Sequence, residues 1–195
     1  MKHSLKYCVI ILLLNIVNNV SSAQDIYKKK PFLISYGVNI IFEDRNQFEN
    51  YVKNEPVLWN ISPITFGLEK RIRDDFAILG IAGTNVYQEK QKINGITLKE
   101  SKDVYFIEIG AKLNFVPILK YKTNLDPYVT TTTGYIYRGV TNEINLNIGL
   151  GTNYWFNSKF GLNLNTTYRI NQTISSENKQ GDLLQFSIMI VQIID

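Results

Sequence analysis

The strongest constraint on the fold is an alternation of side-chain character with a period of two residues, which is clearest in residues 147–170. The sequence there reads NIGLGTNYWFNSKFGLNLNTTYRI, in which apolar positions alternate with Gly, Asn, Thr and Arg on both sides of Asn157-Ser158-Lys159. Successive side chains of a β-strand point to opposite faces. The pattern therefore predicts two strands joined by a short turn, each with one apolar face and one small or polar face.

The same alternation, with varying clarity, predicts eight strands, and no sustained 3.6-residue periodicity or heptad pattern competes with it. Long connections at 44–58, 89–103 and 172–181 alternate with short turns for most of the chain, which is typical of a meander with two unlike ends. Pro63 predicts a bulge or a strand start. The predicted strands cover residues 32–43, 59–71, 75–88, 104–116, 125–138, 143–156, 159–171 and 182–194.

The first 23 residues have the organisation of a secretory signal peptide. Lys2 and Lys6 precede the apolar run YCVIILLLNIV, and the small residues SSA follow at 21–23. An uncleaved anchor is the alternative, but the run is shorter than the ~20 residues that a spanning helix needs. We therefore predict that residues 1–23 are a cleaved signal peptide, that residues 24–195 form a single domain, and that the protein is exported.

Removal of the signal peptide limits the chemistry that the protein can perform. The only Cys (Cys8) and the only His (His3) leave with it, so nucleophilic sites that depend on His and zinc sites built from Cys and His are excluded. The remaining 19 basic and 17 acidic residues give a net charge of +2, which does not indicate a nucleic-acid partner. We expect no catalytic residues, no cofactor and no metal site.

Carboxylates near the predicted strand ends leave one catalytic alternative. Glu43 with Asp44, and Glu177 with Asp182, lie near the predicted rims, where a carboxylate-pair hydrolase would need two acids to converge. Nothing in the sequence pairs them, and the acids of residues 43–55 do not have the spacing of an EF-hand loop. A non-enzymatic protein is therefore the prediction.

The polarity of the two strand faces separates a membrane barrel from a soluble one. A soluble lipocalin-like carrier would place many Lys, Glu and Asp on its water-facing side. Here the polar face carries mostly Asn, Gly, Ser and Thr, which suit the crowded interior of a narrow barrel, while the apolar face suits lipid. Aromatic residues near strand ends predict interfacial girdles, although they could simply be ordinary strand formers. They are Phe42, Trp59, Tyr87, Tyr105, Phe115, Tyr137, Phe156, Phe160 and Tyr168.

Two consecutive segments resemble a known family. LDPYVTTTTGYIYR (125–138), followed by NIGLGTNYWFNSKFGLNLNTTYRI, is similar to the closing strands of OmpA-like outer-membrane β-barrels, with their PY, G-x-G-x-x-Y and G-L-x-x-x-x-x-Y-R patterns, and especially to barrels of Bacteroidetes-type bacteria. The resemblance implies an all-β, eight-stranded antiparallel up-and-down transmembrane β-barrel in the outer membrane of a Gram-negative bacterium. Both termini would lie in the periplasm, and the connections at 44–58, 89–103, 139–142 and 172–181 would face outside.

The chain departs from the family pattern at its C-terminus. Many relatives continue into a peptidoglycan-binding domain, whereas this sequence ends at Asp195 directly after the last predicted strand, so we expect no peptidoglycan-binding domain. Barrels of this type often end on an aromatic residue that the assembly machinery recognises, but this sequence ends VQIID. The sequence therefore indicates the barrel fold more strongly than it indicates assembly by this machinery.

The interior of an eight-stranded barrel has room only for side chains, which limits any pore to a very narrow one. Charges there are costly unless they are paired, so we predict an ion-pair network. Such a network could gate a narrow conduit or could plug the barrel and fix the strand register. Its predicted members are Glu69, Glu108, Lys112, Arg138 and Arg169.

One long connection carries a group of lysines that could contact another surface. Lys90, Lys92, Lys99 and Lys102 could meet lipopolysaccharide phosphates, although acidic neighbours make a solvated loop of mixed charge the alternative. We expect a non-catalytic outer-membrane barrel with a structural or surface-interaction role, whose partners are lipid and lipopolysaccharide. The alternatives are a barrel partner of an envelope transport or secretion system and a soluble lipocalin-like carrier.

Overall fold

The computed structural model describes residues 31–42, 61–87, 89, 92–93, 96–119, 124–139, 142–173 and 182–194. They form a closed antiparallel barrel of eight strands, which confirms the predicted fold class. No helix among the described residues is long and apolar enough to cross a membrane. The elements are β1 (Phe32–Phe42), β2 (Ile61–Arg71), β3 (Phe76–Tyr87), β4 (Lys92–Ile93), β5 (Ile96–Thr97), β6 (Lys102–Asn114), α1 (Phe115–Leu119), β7 (Leu125–Arg138), β8 (Asn142–Trp155), β9 (Phe160–Thr173) and β10 (Leu183–Ile194).

Closure of the barrel depends on pairing between the first and last strands. β1 pairs with β10 from Phe32 opposite Ile194 to Phe42 opposite Leu184, and every other barrel strand pairs with its neighbours along the chain. The short strands β4 and β5 pair only with each other, between β3 and β6. Each barrel strand therefore has a partner on both sides, and the sheet leaves no open edge along its length.

The register of β2 against β3 is irregular at one point. Ile61 lies opposite Val86, whereas Ile64 lies opposite Thr84, so the register shifts between them. Pro63, which lacks a backbone N–H to donate to the ladder, lies within this shift. The sequence predicted a bulge or a strand start at Pro63, and the structure shows a register irregularity there, two residues inside the start of β2.

The two faces of the barrel have the polarity predicted from the sequence. In β6, Ile107 and Ile109 point outward and are each 63 % exposed, whereas Glu108 and Lys112 point inward and are each 4 % exposed. β8 repeats the pattern with exposed Ile and Leu alternating with buried Asn. The arrangement is the reverse of that in a water-soluble barrel, which buries its apolar face.

Two short connections, β2–β3 and β8–β9, lie at the end of the barrel that we call the short-turn end, whereas the short β7–β8 connection lies at the other end. In the β2–β3 turn, Arg73 Nη2 donates to Asp75 Oδ2 at 2.7 Å, and this hydrogen bond holds the pKa of Asp75 below its usual value. In the β8–β9 turn, Asn157 Oδ1 accepts from the backbone N–H groups of Lys159 and Phe160 at 2.8 and 2.9 Å. Short polar side chains that cap their own turn in this way stabilise tight connections. The opposite end is called the long-loop end.

The connection after β6 differs from the prediction. The sequence predicted a strand to residue 116, but β6 ends at Asn114 and α1 begins at Phe115. Pro117 lies in the first turn of this helix, where its missing N–H costs no intrahelical hydrogen bond. The helix places Val116 in the mouth of the barrel, where it is 2 % exposed.

Interfacial girdles require side chains on the outer face, and the structure places only some of the predicted aromatic residues there. Tyr105 and Tyr137 stack on the outer face with ring centroids 6.3 Å apart, and Tyr168 is also exposed. Tyr87 instead points into the barrel, and Phe42 is buried against Phe186. Trp59 lies outside the described residues. Position near a strand end did not reveal which face these residues occupy.

Two glycines on neighbouring strands provide a test of the barrel packing. A Cβ at Gly110 would collide with the backbone carbonyl of Thr131, whereas a Cβ at Gly80 would meet only Glu108 O, at 3.8 Å. We expect Gly110→Ala to lower the free energy of unfolding by about 1–3 kcal/mol and Gly80→Ala to change it by less than about 0.5 kcal/mol. Urea unfolding followed by circular dichroism measures both, and equal effects would contradict the packing described for Gly110.

Candidate functional site: the barrel interior

Four charged side chains from β2, β6 and β7 form what we call the first ion cluster, in the short-turn half of the barrel. Lys112 Nζ lies 2.7 Å from Glu69 Oε2, and Arg71 Nε lies 2.9 Å from Glu69 Oε1. Arg71 Nη2 lies 3.5 Å from Asp126 Oδ2. Two cations and two anions balance in charge, so burial of this cluster leaves no net charge in the interior.

Neutral side chains add hydrogen bonds to the first ion cluster. Asn114 Oδ1 accepts from Arg71 Nη2 at 2.9 Å, and Asn153 Nδ2 donates to Asp126 Oδ2 at 3.3 Å. Lys112 Nζ also lies 3.9 Å from the centroid of the Tyr128 ring, within reach of a cation–π contact. The Asn-rich inner face therefore supplies amides where the buried charges require partners.

Two separate ion pairs lie in the long-loop half, and together we call them the second ion cluster. Arg169 Nη1 pairs with Glu108 Oε1, and Arg138 Nη2 pairs with Glu143 Oε2. Thr132 Oγ1 donates to Glu108 Oε2 at 2.8 Å, and Arg169 also donates to Gln185. This cluster is again neutral overall, and its four charged members come from β6, β7, β8 and β9.

Two groups of apolar side chains fill the interior near its two ends, beside the ion clusters: Leu33 lies opposite Glu69, and Ile136 lies opposite Glu143. The short-turn layer consists of Leu33, Val116, Trp155, Val191 and Ile193. The long-loop layer consists of Ile41, Tyr87, Val104, Phe106, Ile136 and Leu183. Trp155 is fully buried, and the Arg169 guanidinium lies 4.4 Å from the Phe106 ring centroid, so the apolar and ionic layers are in contact. The interior is therefore filled by apolar and paired charged side chains that pack side by side.

A small cavity lies beside the first ion cluster. Its volume is about 40 Å³, and its lining includes Glu69, Lys112, Tyr128, Thr130 and Asn163. A space of this size and polarity accommodates a few water molecules. It is much smaller than the space that a solute would need to pass.

The structure brings together four of the five charged residues that the sequence placed on the inner face, as two pairs. Glu69 pairs with Lys112, and Glu108 pairs with Arg169, whereas Arg138 pairs with Glu143, which was not among the predicted members. The sequence analysis missed Arg71, Asp126 and Glu143, which lie at or near strand ends. The inward positions of Arg71 and Asp126 could have been predicted from the alternation of the two strand faces. Arg71 lies two residues after Glu69, and Asp126 lies two residues before Tyr128.

The predicted loop lysines show no common surface in the described part of the chain. Lys99 is exposed, and Lys102 Nζ pairs with Glu100 Oε1, which lowers the pKa of Glu100. Lys90 lies outside the described residues, and of Lys92 only the backbone, in β4, is described. Contact of these lysines with another surface therefore stays a prediction.

The described residues give no geometry for catalysis at the predicted rims or for a metal. Glu43, Asp44 and Glu177 lie outside them, and Asp182 Oδ2 accepts from Tyr168 Oη at 2.6 Å. Across the described ranges, no three His, Cys, Asp or Glu side chains are grouped as ligands for a metal ion. The chemistry of the interior is ion pairing and hydrogen bonding.

The sequence matches no protein-family model and no curated protein at a significant level. Solved structures are nevertheless similar in fold. Neisserial surface protein A matches with a TM-score of 0.58 at 11 % identity, covering 84 % of this chain and 96 % of that one. The N-terminal β-barrel domain of Pseudomonas aeruginosa OprF matches with 0.52 at 12 % identity, covering 85 % and 98 %.

The Yersinia pestis outer membrane protein Ail, solved in a phospholipid bilayer nanodisc, matches with a TM-score of 0.51 at 11 % identity, covering 85 % of this chain and 99 % of that one. The barrel of this chain therefore spans nearly the whole length of these three structures. The predicted likeness to OmpA-like barrels is confirmed at the level of the fold.

Proposed function

We propose that the chain is an integral outer-membrane β-barrel protein with a structural or surface-interaction role rather than a channel or an enzyme. The observation that carries this proposal is the filled interior. Apolar side chains are packed near both ends, and the charged side chains beside them are paired with one another. Solutes would have to displace these side chains to pass, so the interior supports stability and strand register rather than transport.

The outer face supports a location in lipid. Its exposed side chains are mainly Ile, Leu and aromatics, which are poorly hydrated in water and suit a hydrocarbon surrounding. Strands of 11–14 residues exceed the ~9–11 that cross a bilayer when tilted. A soluble carrier needs the opposite polarity, with an apolar interior large enough for a ligand. The proposed signal peptide at 1–23 gives the route of export.

The two unlike ends of the barrel suggest its orientation. In our proposal the short-turn end, with both ends of the described chain, faces the periplasm, and the long-loop end faces outside the cell. Any contact with lipopolysaccharide phosphates would then involve the long-loop end, where Lys99 and Lys102 lie. Contact with lipopolysaccharide is therefore the part of the proposal that requires a binding partner.

A gel-shift and conductance experiment tests the proposal. Protein refolded in detergent should migrate differently on an SDS gel before and after boiling, because a closed membrane barrel resists SDS until it is heated. In planar bilayers, the same preparation should give no stable ion channel, since both ends of its interior are packed. Solubility without detergent would contradict the membrane location, and steady single-channel currents from heat-shifting protein would contradict the structural role.

A further inference from the structure

An apolar groove crosses the outer face of the barrel on β2, β3 and β6 and reaches Thr133 and Tyr135 on β7. Its volume is about 520 Å³. The floor is formed on β3, where small side chains replace the large ones found elsewhere on this face, and the walls rise on the two neighbouring strands. The floor residues are Gly80 and Ala82, and the wall residues are Phe66, Leu68, Ile107 and Ile109.

The packing of the protein itself does not require a glycine at the floor of this groove. At each of the other nine glycines that the structure describes, an added Cβ would come within 3.0 Å of another atom. Gly80 differs, because its Cβ would meet only Glu108 O at 3.8 Å, which is an ordinary contact. A larger side chain would therefore fit at Gly80 and would fill the groove. The space that glycine leaves open is available to a molecule outside the barrel.

Charge differs between the two ends of the groove. Lys70 follows Leu68 by two residues on the same face of β2, about 7 Å further toward the short-turn end. Its Nζ lies 3.9 Å from the centroid of the outward Phe32 ring. At the opposite end, Asp103 is exposed on β6. An anionic head at the Lys70 end would lie near a cation and away from Asp103, and its apolar chain would match the lining of the groove.

From these contacts we propose that the groove holds one acyl chain of an anionic phospholipid whose phosphate pairs with Lys70. The proposal rests on the membrane location proposed above. The headgroup lies at the short-turn end, because Lys70 attracts a phosphate there and Asp103 repels one at the other end. The chain lies between Phe66 and Leu68 on one side and Ile107 and Ile109 on the other.

Native mass spectrometry of the exported protein purified in detergent tests this site. The probes are phosphatidylglycerol and phosphatidylcholine with identical acyl chains. Wild-type protein should retain one phosphatidylglycerol in preference to phosphatidylcholine. Lys70→Gln should weaken phosphatidylglycerol retention about tenfold and leave phosphatidylcholine unchanged, whereas Gly80→Leu should weaken both about tenfold. The matched control is Thr166→Leu, which adds bulk to the outer face of β9, away from the groove.

The outcomes separate this site from the proposed function. Gly80→Leu protein that retains phosphatidylglycerol like the wild type would overturn the groove as the site, and unchanged retention by Lys70→Gln would overturn the headgroup contact. A dimer of the chain without bound phospholipid would overturn phospholipid as the occupant of the groove. If the Gly80→Leu protein loses the heat-dependent gel shift, the lipid-retention experiment is repeated with Ala82→Val, which also adds bulk to the floor of the groove. Loss of the gel shift in wild-type protein would instead contradict the membrane barrel itself.

Discussion

Replacing Arg169 with methionine is expected to lower the free energy of unfolding by about 3–5 kcal/mol. Arg169 and Glu108 are 1 % and 4 % exposed, and the Glu108 carboxylate has Arg169 as its ion-pair partner and Thr132 as its hydrogen-bond donor. Methionine fills much of the same space but removes the charge. The variant therefore leaves a buried carboxylate without its counter-ion, which costs more than the intact pair contributes. Urea unfolding in lipid vesicles, followed by circular dichroism, measures the loss.

Two further variants control for this interpretation. The double variant Arg169→Met with Glu108→Gln removes both charges, so it should recover most of the stability that the single variant loses. Arg73→Met breaks the turn pair with Asp75, in which the Arg73 side chain is 68 % exposed, and should have little effect. Equal losses in the single and double variants would show that Arg169 acts through packing rather than through charge.

The faces of the strands could be predicted from sequence because burial in a strand follows residue parity. Once Tyr105 is placed outside, Glu108 and Lys112 must point inside unless a bulge intervenes, and β6 has no register shift against either neighbour. The ion pairs themselves could not be predicted. Whether Glu108 of β6 or Glu69 of β2 meets Arg169 of β9 depends on the stagger between strands, which a single-strand pattern does not contain.

The predictions that were wrong or incomplete lie at strand ends. There the pattern is short, and a side chain can face lipid, the interior or a connection. Tyr87 was predicted for an interfacial girdle but belongs to the long-loop layer, and Val116 was predicted in a strand but lies in α1. Pro117 was the available signal for α1, since a proline is readily accommodated in the first turn of a helix. The pairing of β4 with β5 had no comparable signal.

Trp155 is the second position at which a large effect is expected. It is the largest fully buried side chain in the described residues and belongs to the short-turn layer with Val116, which α1 brings into the barrel mouth. Trp155→Ala should lower the free energy of unfolding by about 3–5 kcal/mol, because the cavity it leaves cannot collapse between paired strands. The matched control is Tyr154→Ala, which removes an outward ring in edge contact with Phe156 and should cost less.

Conductance of the Trp155→Ala variant distinguishes a structural layer from a gate. The long-loop layer and both ion clusters remain in this variant, so a path opened at the short-turn end still meets Phe106 and Arg169 further along the barrel. We therefore expect lower stability without stable currents in planar bilayers. Steady currents from a Trp155→Ala barrel that keeps its heat-dependent gel shift would show that Trp155 closes a conduit. The ion clusters would then line that conduit, and their charges would set its ion selectivity.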